Sequence, residues 1–291
     1  MLGAIQVMSD MTHDTTHQAG ISIGPGQQTP SYRRSPAATL PRRDAILILA
    51  SIALITILAW LYLVRLDRQM TLTAHENQAM AAMGMAVDKP WTASDLFFTF
   101  AMWAVMMVGM MGPSAAPMIL LFAEAQSKRG MRRAALSAGT FGLGYAFVWT
   151  LFSAGAAVAQ FTLHQTALLS PGMALLSPRI GGAVLIAAGI YQVTQWKNAC
   201  LTHCRSPLSF LMTHWREGHW GTFRTGAHHG AYCLGCCWAL MAILFVMGVM
   251  NLVWVAALAA FVLLEKVGPY GAAVAKISGS ALIIYGILMI A

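Results

Sequence analysis

Charge is scarce in this 291-residue chain: Asp, Glu, Lys and Arg make up 10% of it, against 58% hydrophobic residues. Soluble globular chains carry about 25% charged residues, so the shortage excludes a water-soluble enzyme and leaves an all-α, polytopic helical membrane protein. Acidic residues are the scarcer sign, 10 against 18 Lys and Arg. In a membrane protein that basic surplus encodes orientation, and nucleic acid is not an expected partner. Cysteine is scarce too, at five; Cys200 and Cys204 form one group, Cys233 and Cys236 another, and Cys237 adjoins the second. Thiols grouped so locally exclude a disulfide framework. There is no internal repeat and no P-loop, so active transport by this chain alone would need an ion gradient. Ser and His show an ordinary scatter without a nucleophile-plus-base arrangement, and the chain is not read as an enzyme. The first apolar run starts too late for a signal peptide and lacks an A-x-A-like exit.

What is present is a series of apolar runs. A spanning helix needs about 20 mostly apolar residues to cross about 30 Å of hydrocarbon, because lipid offers the backbone no hydrogen-bond partner. About seven runs qualify, from Ala45 to Val64, Leu96 to Ala123, Ala134 to Phe161, Ile180 to Trp196, Tyr232 to Val249, Leu252 to Leu264 and Ala272 to Ile290. The fifth and sixth are separated only by a few residues around Gly248 and Asn251, as a tight hairpin or a broken re-entrant pair. Arg33, Arg34, Arg42, Arg43, Lys128, Arg129, Arg132, Arg133, Lys197, Arg205, Arg216 and Arg224 fall in alternate loops, which predicts a cytoplasmic N-terminus and an external C-terminus in the bacterial inner membrane. Residues 1–44, rich in Ser, Thr, Gln, Gly and Pro, predict a disordered cytoplasmic tail, and residues 45–291 a single membrane domain surrounded by lipid. Gly271, Ala275 and Gly279 predict a ridge for close helix packing, a role assigned equally to Gly139, Gly142, Gly144, Gly181, Gly182 and Gly189.

The densest chemistry is the stretch from His228 to Trp238. Cys233 and Cys236 form a C-x-x-C at the expected cytoplasmic entrance of the fifth span, Cys237 adjoins it, and His229 lies one helical turn earlier. Thiolate and imidazole together suit soft or borderline metals such as Cu(I) and Zn(II). A second cluster, Cys200, His203 and Cys204, follows the fourth span in what reads as a loop of the same compartment. It either completes a site with the first cluster or hands metal to a cytosolic acceptor. Small apolar Cys packing between helices and a solvated loop pair are the plain alternatives.

Methionine, at 20 residues, adds a softer donor. In the second span Met102, Met106 and Met110 recur every four residues, with Met107, Met111 and Met118 beside them, so a continuous thioether face is expected. Plain packing explains that stripe at least as well. Met70, His75, Met80, Met83 and Met85 read as a first external loop, and Met241 as mid-span. Thioethers select Cu(I) over harder cations, and the order from external Met to inner Cys is what an inward relay would need. Pro113 and Pro117 predict a break or kink in the second span, with Ser114 near enough to bond a freed carbonyl. Of the few charges, Glu265 is expected either to pair with Lys276 or to sit solvated at the interface.

The runs MWAVMMVGMMGPS (Met102 to Ser114), AAGIYQVTQWKNACLTHCRSP (Ala187 to Pro207) and HGAYCLGCCWALM (His229 to Met241), then MNLVW and the Glu265-Lys266 pair, resemble the bacterial predicted metal-binding integral membrane proteins of domain of unknown function 2182. The resemblance covers about Trp91 to Ala291 and implies metal binding in a membrane, without a settled reaction. Where that pattern usually reads Thr-Pro-Leu-Lys, this chain has Thr194-Gln195-Trp196-Lys197. Loss of the proline predicts a straighter run from span four into the Cys200 cluster.

The residues together predict a membrane-embedded protein that binds copper as Cu(I), with zinc as the second fit, for transport or delivery. Cys233, Cys236, Cys237 and His229 form the inner site, Cys200, His203 and Cys204 a neighbouring one, and Met106, Met107, Met110 and Met111 the thioether approach. A cytosolic or external metal chaperone is the expected exchange partner. A transmembrane thiol-disulfide oxidoreductase working through the Cys pairs and an assembly or scaffold subunit with a structural metal are the competing readings. Redox transport would find little use for Met.

Overall fold

The computed structural model describes residues 40–84, 91–129, 134–166 and 177–291. Most of the 1–44 tail, Met85, Arg33, Arg34, Arg132 and Arg133 lie outside the described residues. Among those described there are nine α-helices and no strand: α1 Arg42–Ala82, α2 Ala93–Lys128, α3 Ala134–Gln165, α4 Pro178–Val193, α5 Gln195–Arg205, α6 Pro207–His214, α7 Gly218–Met247, α8 Leu252–Val267 and α9 Gly271–Ile290. Five of them, α1, α2, α3, α7 and α9, are long and apolar enough to cross a membrane. The expected fourth and sixth spans fall short as α4 and α8, 16 residues each or about 24 Å of helix.

The helix ends follow local chemistry. At the start of α2 the Asp95 carboxylate accepts from the Thr92 backbone N–H at 2.7 Å, which satisfies one of the donors a helix N-terminus leaves free. Pro178 begins α4 where its missing N–H costs nothing, and Asn251 caps α8 through the Trp254 N–H. Gly248 closes α7 at φ 93°, a left-handed conformation that glycine adopts without a Cβ penalty. The short link from there to Asn251 is the predicted connection between the fifth and sixth spans.

Pro113 and Pro117 do not interrupt α2. A proline at 113 leaves the Gly109 carbonyl without its usual helical donor, and the indole N–H of Trp60 on α1 donates to that carbonyl at 3.3 Å. Leaving such a group unmet when buried costs about 1–3 kcal/mol; the neighbouring helix therefore supports the proline-bearing segment. Ser114 donates to the Met111 carbonyl at 2.9 Å.

The glycines divide. A Cβ on Gly182 would meet the Gly286 carbonyl oxygen at 2.6 Å, and one on Gly189 the Gly279 oxygen at 2.6 Å, so α4 and α9 lie backbone against backbone and antiparallel. Gly144 and Gly226 let α3 and α7 approach in the same way, whereas Gly139 and Gly142 face open space and serve no packing role. They line an apolar groove of about 490 Å³ between α1, α2 and α3 that holds no thiol.

The core gathers the sulfur. Met102, Met106, Met107, Met110 and Met111 of α2 share one buried cluster with Cys233, Cys236, Cys237 and Met241 of α7 and with Trp103, Tyr145 and Trp149. The methionines expected in a first external loop are placed differently: α1 continues through Met70, His75 and Met80 to Ala82. Met80 and Met83 are exposed, on an extended helix and its terminal turn instead of a loop.

Candidate metal centre

Five helices, α2, α3, α5, α7 and α8, build the site. The chain does not run straight after α4: Thr194, at φ −70° and ψ 154°, ends α4 and caps α5, its hydroxyl donating to the Tyr191 carbonyl and accepting from Lys197 N–H. A hydroxyl cap thus breaks the helix where the related pattern carries proline. Cys200 and Cys204 consequently stand on the helix α5 and not in a loop, one turn apart on one face. Arg205 at its end donates to the carbonyls of Gly268 and Pro269, which fixes α5 to the α8–α9 turn.

Cys233 stands near the middle of α7 rather than at its entrance, and Cys233, Cys236 and Cys237 are each 1–2% exposed. The Cys236 and Cys237 thiols both donate to the Cys233 carbonyl, at 3.0 and 2.8 Å. The free thiols lie within hydrogen-bonding reach of one another in succession, Cys204 with Cys236, Cys236 with Cys237, and Cys237 with Cys233. The Cys204 thiol lies well above its ordinary range, first because it gives its hydrogen bond to Cys236 and then because it is buried. Burial also raises Cys200, whose sulfur lies over Gly235, where any Cβ would meet it at 2.9 Å.

The far end of this line meets residues that sequence reading left out. The Tyr145 hydroxyl lies 2.9 Å from the Cys233 sulfur and 3.4 Å from the Met111 carbonyl. Lys266 Nζ donates to the same sulfur at 2.9 Å, to Ser114 Oγ at 3.3 Å and to Met111 Sδ at 3.9 Å. Met111 and Cys233 therefore share two neighbours, Tyr145 of α3 and Lys266 of α8. Met106, Met107 and Met110 are buried in the same core. The signal for Lys266 was in the sequence, a charge at the end of a hydrocarbon run, but nothing local revealed which helix it faces.

Glu265 is corrected as well. It is 1% exposed and pairs with Lys197, also 1% exposed, at 2.6 and 2.8 Å, while Gln192 donates to it at 3.0 Å. Its partner is not Lys276 and it is not solvated. Lys197, counted above as a loop charge, is a core residue.

The histidines separate. His229 is 3% exposed, its ring against Phe141, Tyr145 and Phe210, and its Nδ1 has no hydrogen-bond partner. A buried ring nitrogen without a partner is a group awaiting a ligand or a water. His203 instead stacks on Tyr232 with ring centroids 4.4 Å apart and points Nδ1 at the Ala199 carbonyl, away from the thiol line. Among the described residues no group of three or more His, Cys, Asp or Glu side chains is arranged to hold a metal ion. Thiol and imidazole donors of this kind suit soft or borderline metals, Cu(I) and Zn(II) among them.

Fold and site define a multi-helix protein with several membrane-length helices and a buried line of thiols. The model of the PpoB2 copper chaperone family matches residues 100–289, well over half of the chain, and that segment holds all five cysteines and the α2 methionines. The chain belongs to this copper chaperone family. The match supports the copper-related reading drawn from the residues, and its family name is not that of the resemblance. No curated protein and no solved structure matches the chain.

Proposed function

We propose that the protein binds Cu(I) within the bacterial inner membrane and passes it through its thiols for transport or delivery, with the N-terminus cytoplasmic. Copper is cargo in this reading, not a resident cofactor, and the chain is not an enzyme. The observation that carries it is the line from Cys204 on α5 through Cys236 and Cys237 to Cys233 on α7, ending beside the Met111 thioether. Pairs of soft donors in sequence let an ion exchange one ligand at a time, and burial keeps water and oxidants away. His229, one turn from Cys233 with an unpartnered nitrogen, supplies an additional ligand. Cys200 and Cys204 form the end nearest α5, where a metal chaperone would receive or supply the ion.

The oxidoreductase reading is less well supported. Thiol exchange requires access by an incoming thiolate, and the α7 cysteines are at most 2% exposed. The test is substitution of Cys233, Cys236 and Cys237 together by Ser. Copper binding to the purified, reduced protein should be lost at this site, and Ser at Cys200 and Cys204 should leave part of it. A thiol-exchange defect without a copper defect would favour the oxidoreductase.

A further inference from the structure

Lys266 is 8% exposed and lies at the far end of the thiol line. The adjacent acid makes no direct ion pair with it: both Glu265 oxygens accept from Lys197, and successive helix residues point in different directions. Among the described residues the ion pairs are Lys128 with Glu124, Arg129 with Glu217 and Lys197 with Glu265; none includes Lys266. Its contacts are the sulfurs of Cys233 and Met111 and the hydroxyl of Ser114. A buried ammonium without an ion-pair partner is costly, and the ionisable group in direct contact with this one is the Cys233 thiol.

Resting on the copper reading above, we propose that Lys266 is a specificity residue whose fixed ammonium selects a monovalent soft cation, held between Cys233 and a neighbouring thiolate, over divalent cations. A monovalent ion with two thiolates carries one net negative charge, which Lys266 balances. A divalent ion with two thiolates is neutral and leaves the ammonium uncompensated; a third thiolate would repair this, but the thiols follow one another in pairs, and among the described residues no three such side chains are arranged around one metal position. Two sulfur–metal bonds form, displaced thiol protons pass to solvent, and the metal keeps its oxidation state.

The experiment uses the full chain in detergent under anaerobic, reducing conditions, comparing wild type with Lys266→Leu, Lys266→Gln and Lys266→Arg. Cu(I) affinity is read by competition with bicinchoninate and Zn(II) affinity with a chromophoric zinc chelator, folding being followed by circular dichroism. Removing one unit charge at contact range should lower the Cu(I)-to-Zn(II) preference by about tenfold to a hundredfold in the Leu or Gln variant, while Arg keeps it. Purely structural damage would weaken both metals together and leave the ratio unchanged, and an unchanged ratio in a folded neutral variant overturns the proposal. Gln keeps the test available should Leu not fold. If wild type itself binds no Cu(I) through cysteine, the copper reading fails, a result separate from a failure of selectivity.

Discussion

Replacing Lys197 with Met should damage the protein far more than removing both members of its ion pair. The single change leaves Glu265, 1% exposed, with only the Gln192 amide where an ammonium stood at 2.6 Å. Breaking a buried pair from one side typically costs about 3–5 kcal/mol, a factor of roughly a hundred to several thousand in the folding equilibrium at about 1.4 kcal/mol per decade. Removing both charges with Lys197→Met and Glu265→Leu should cost little, and well-packed hydrophobic replacements of such pairs have come out up to about 4 kcal/mol more stable. The assay is reversible unfolding in mixed micelles followed by tryptophan fluorescence, read as a double-mutant cycle. Because the pair joins α5 to α8, the single variant should also loosen α5 and speed alkylation of Cys200 and Cys204. A single-variant cost below about 1 kcal/mol, the range of solvent-exposed pairs, would show that the pair does not fix α5 and would refute the burial argument.

Gly235→Ala places a methyl group against the Cys200 sulfur; Cys200 should become severalfold more reactive toward maleimide while helix content is retained, and unchanged reactivity would contradict that contact. Leu at Met106, Met107 and Met110 keeps volume and apolarity, so stability should fall by less than about 1.5 kcal/mol per substitution and the purified protein should still bind copper at its cysteines. Copper accumulation in cells should drop, and if it does not, the stripe is packing alone. Reporter fusions should give inside signals at Lys128 and Cys200 and outside signals at Met80 and Ala291; both termini on one side would overturn the orientation.

The parts of the fold legible in the sequence were those that a single helix determines. Hydropathy located α2, α3 and α9, and the glycines of α4 and α9 announced close packing without naming the partner, because lipid and close backbone approach impose local rules. The length of α1 beyond Val64 was not legible, since its extension through Met70 and His75 is polar and reads as a loop. The break at Thr194 was missed because a hydroxyl cap does what a proline was expected to do. For the site, the spacing of Cys233, Cys236 and Cys237 exposed the thiols. The neighbours that govern them, Tyr145 from α3, Met111 from α2 and Lys266 from α8, arrive across tertiary contacts that spacing does not encode. Glu265 and Lys197 are 68 residues apart and illustrate the same limit.

Anaerobic titration of the purified, reduced protein with Cu(I), beside the Cys233, Cys236 and Cys237 triple Ser variant, addresses the central claim most directly. Wild type should retain Cu(I) against bicinchoninate more tightly than it retains Zn(II). Its affinity should weaken as pH falls, since protons and metal compete for the same thiolates. The triple variant should lose this site while keeping its helix content. Copper retained undiminished by the folded triple variant, or a wild type that holds no copper, would contradict the assignment of the buried thiol line as a Cu(I) site.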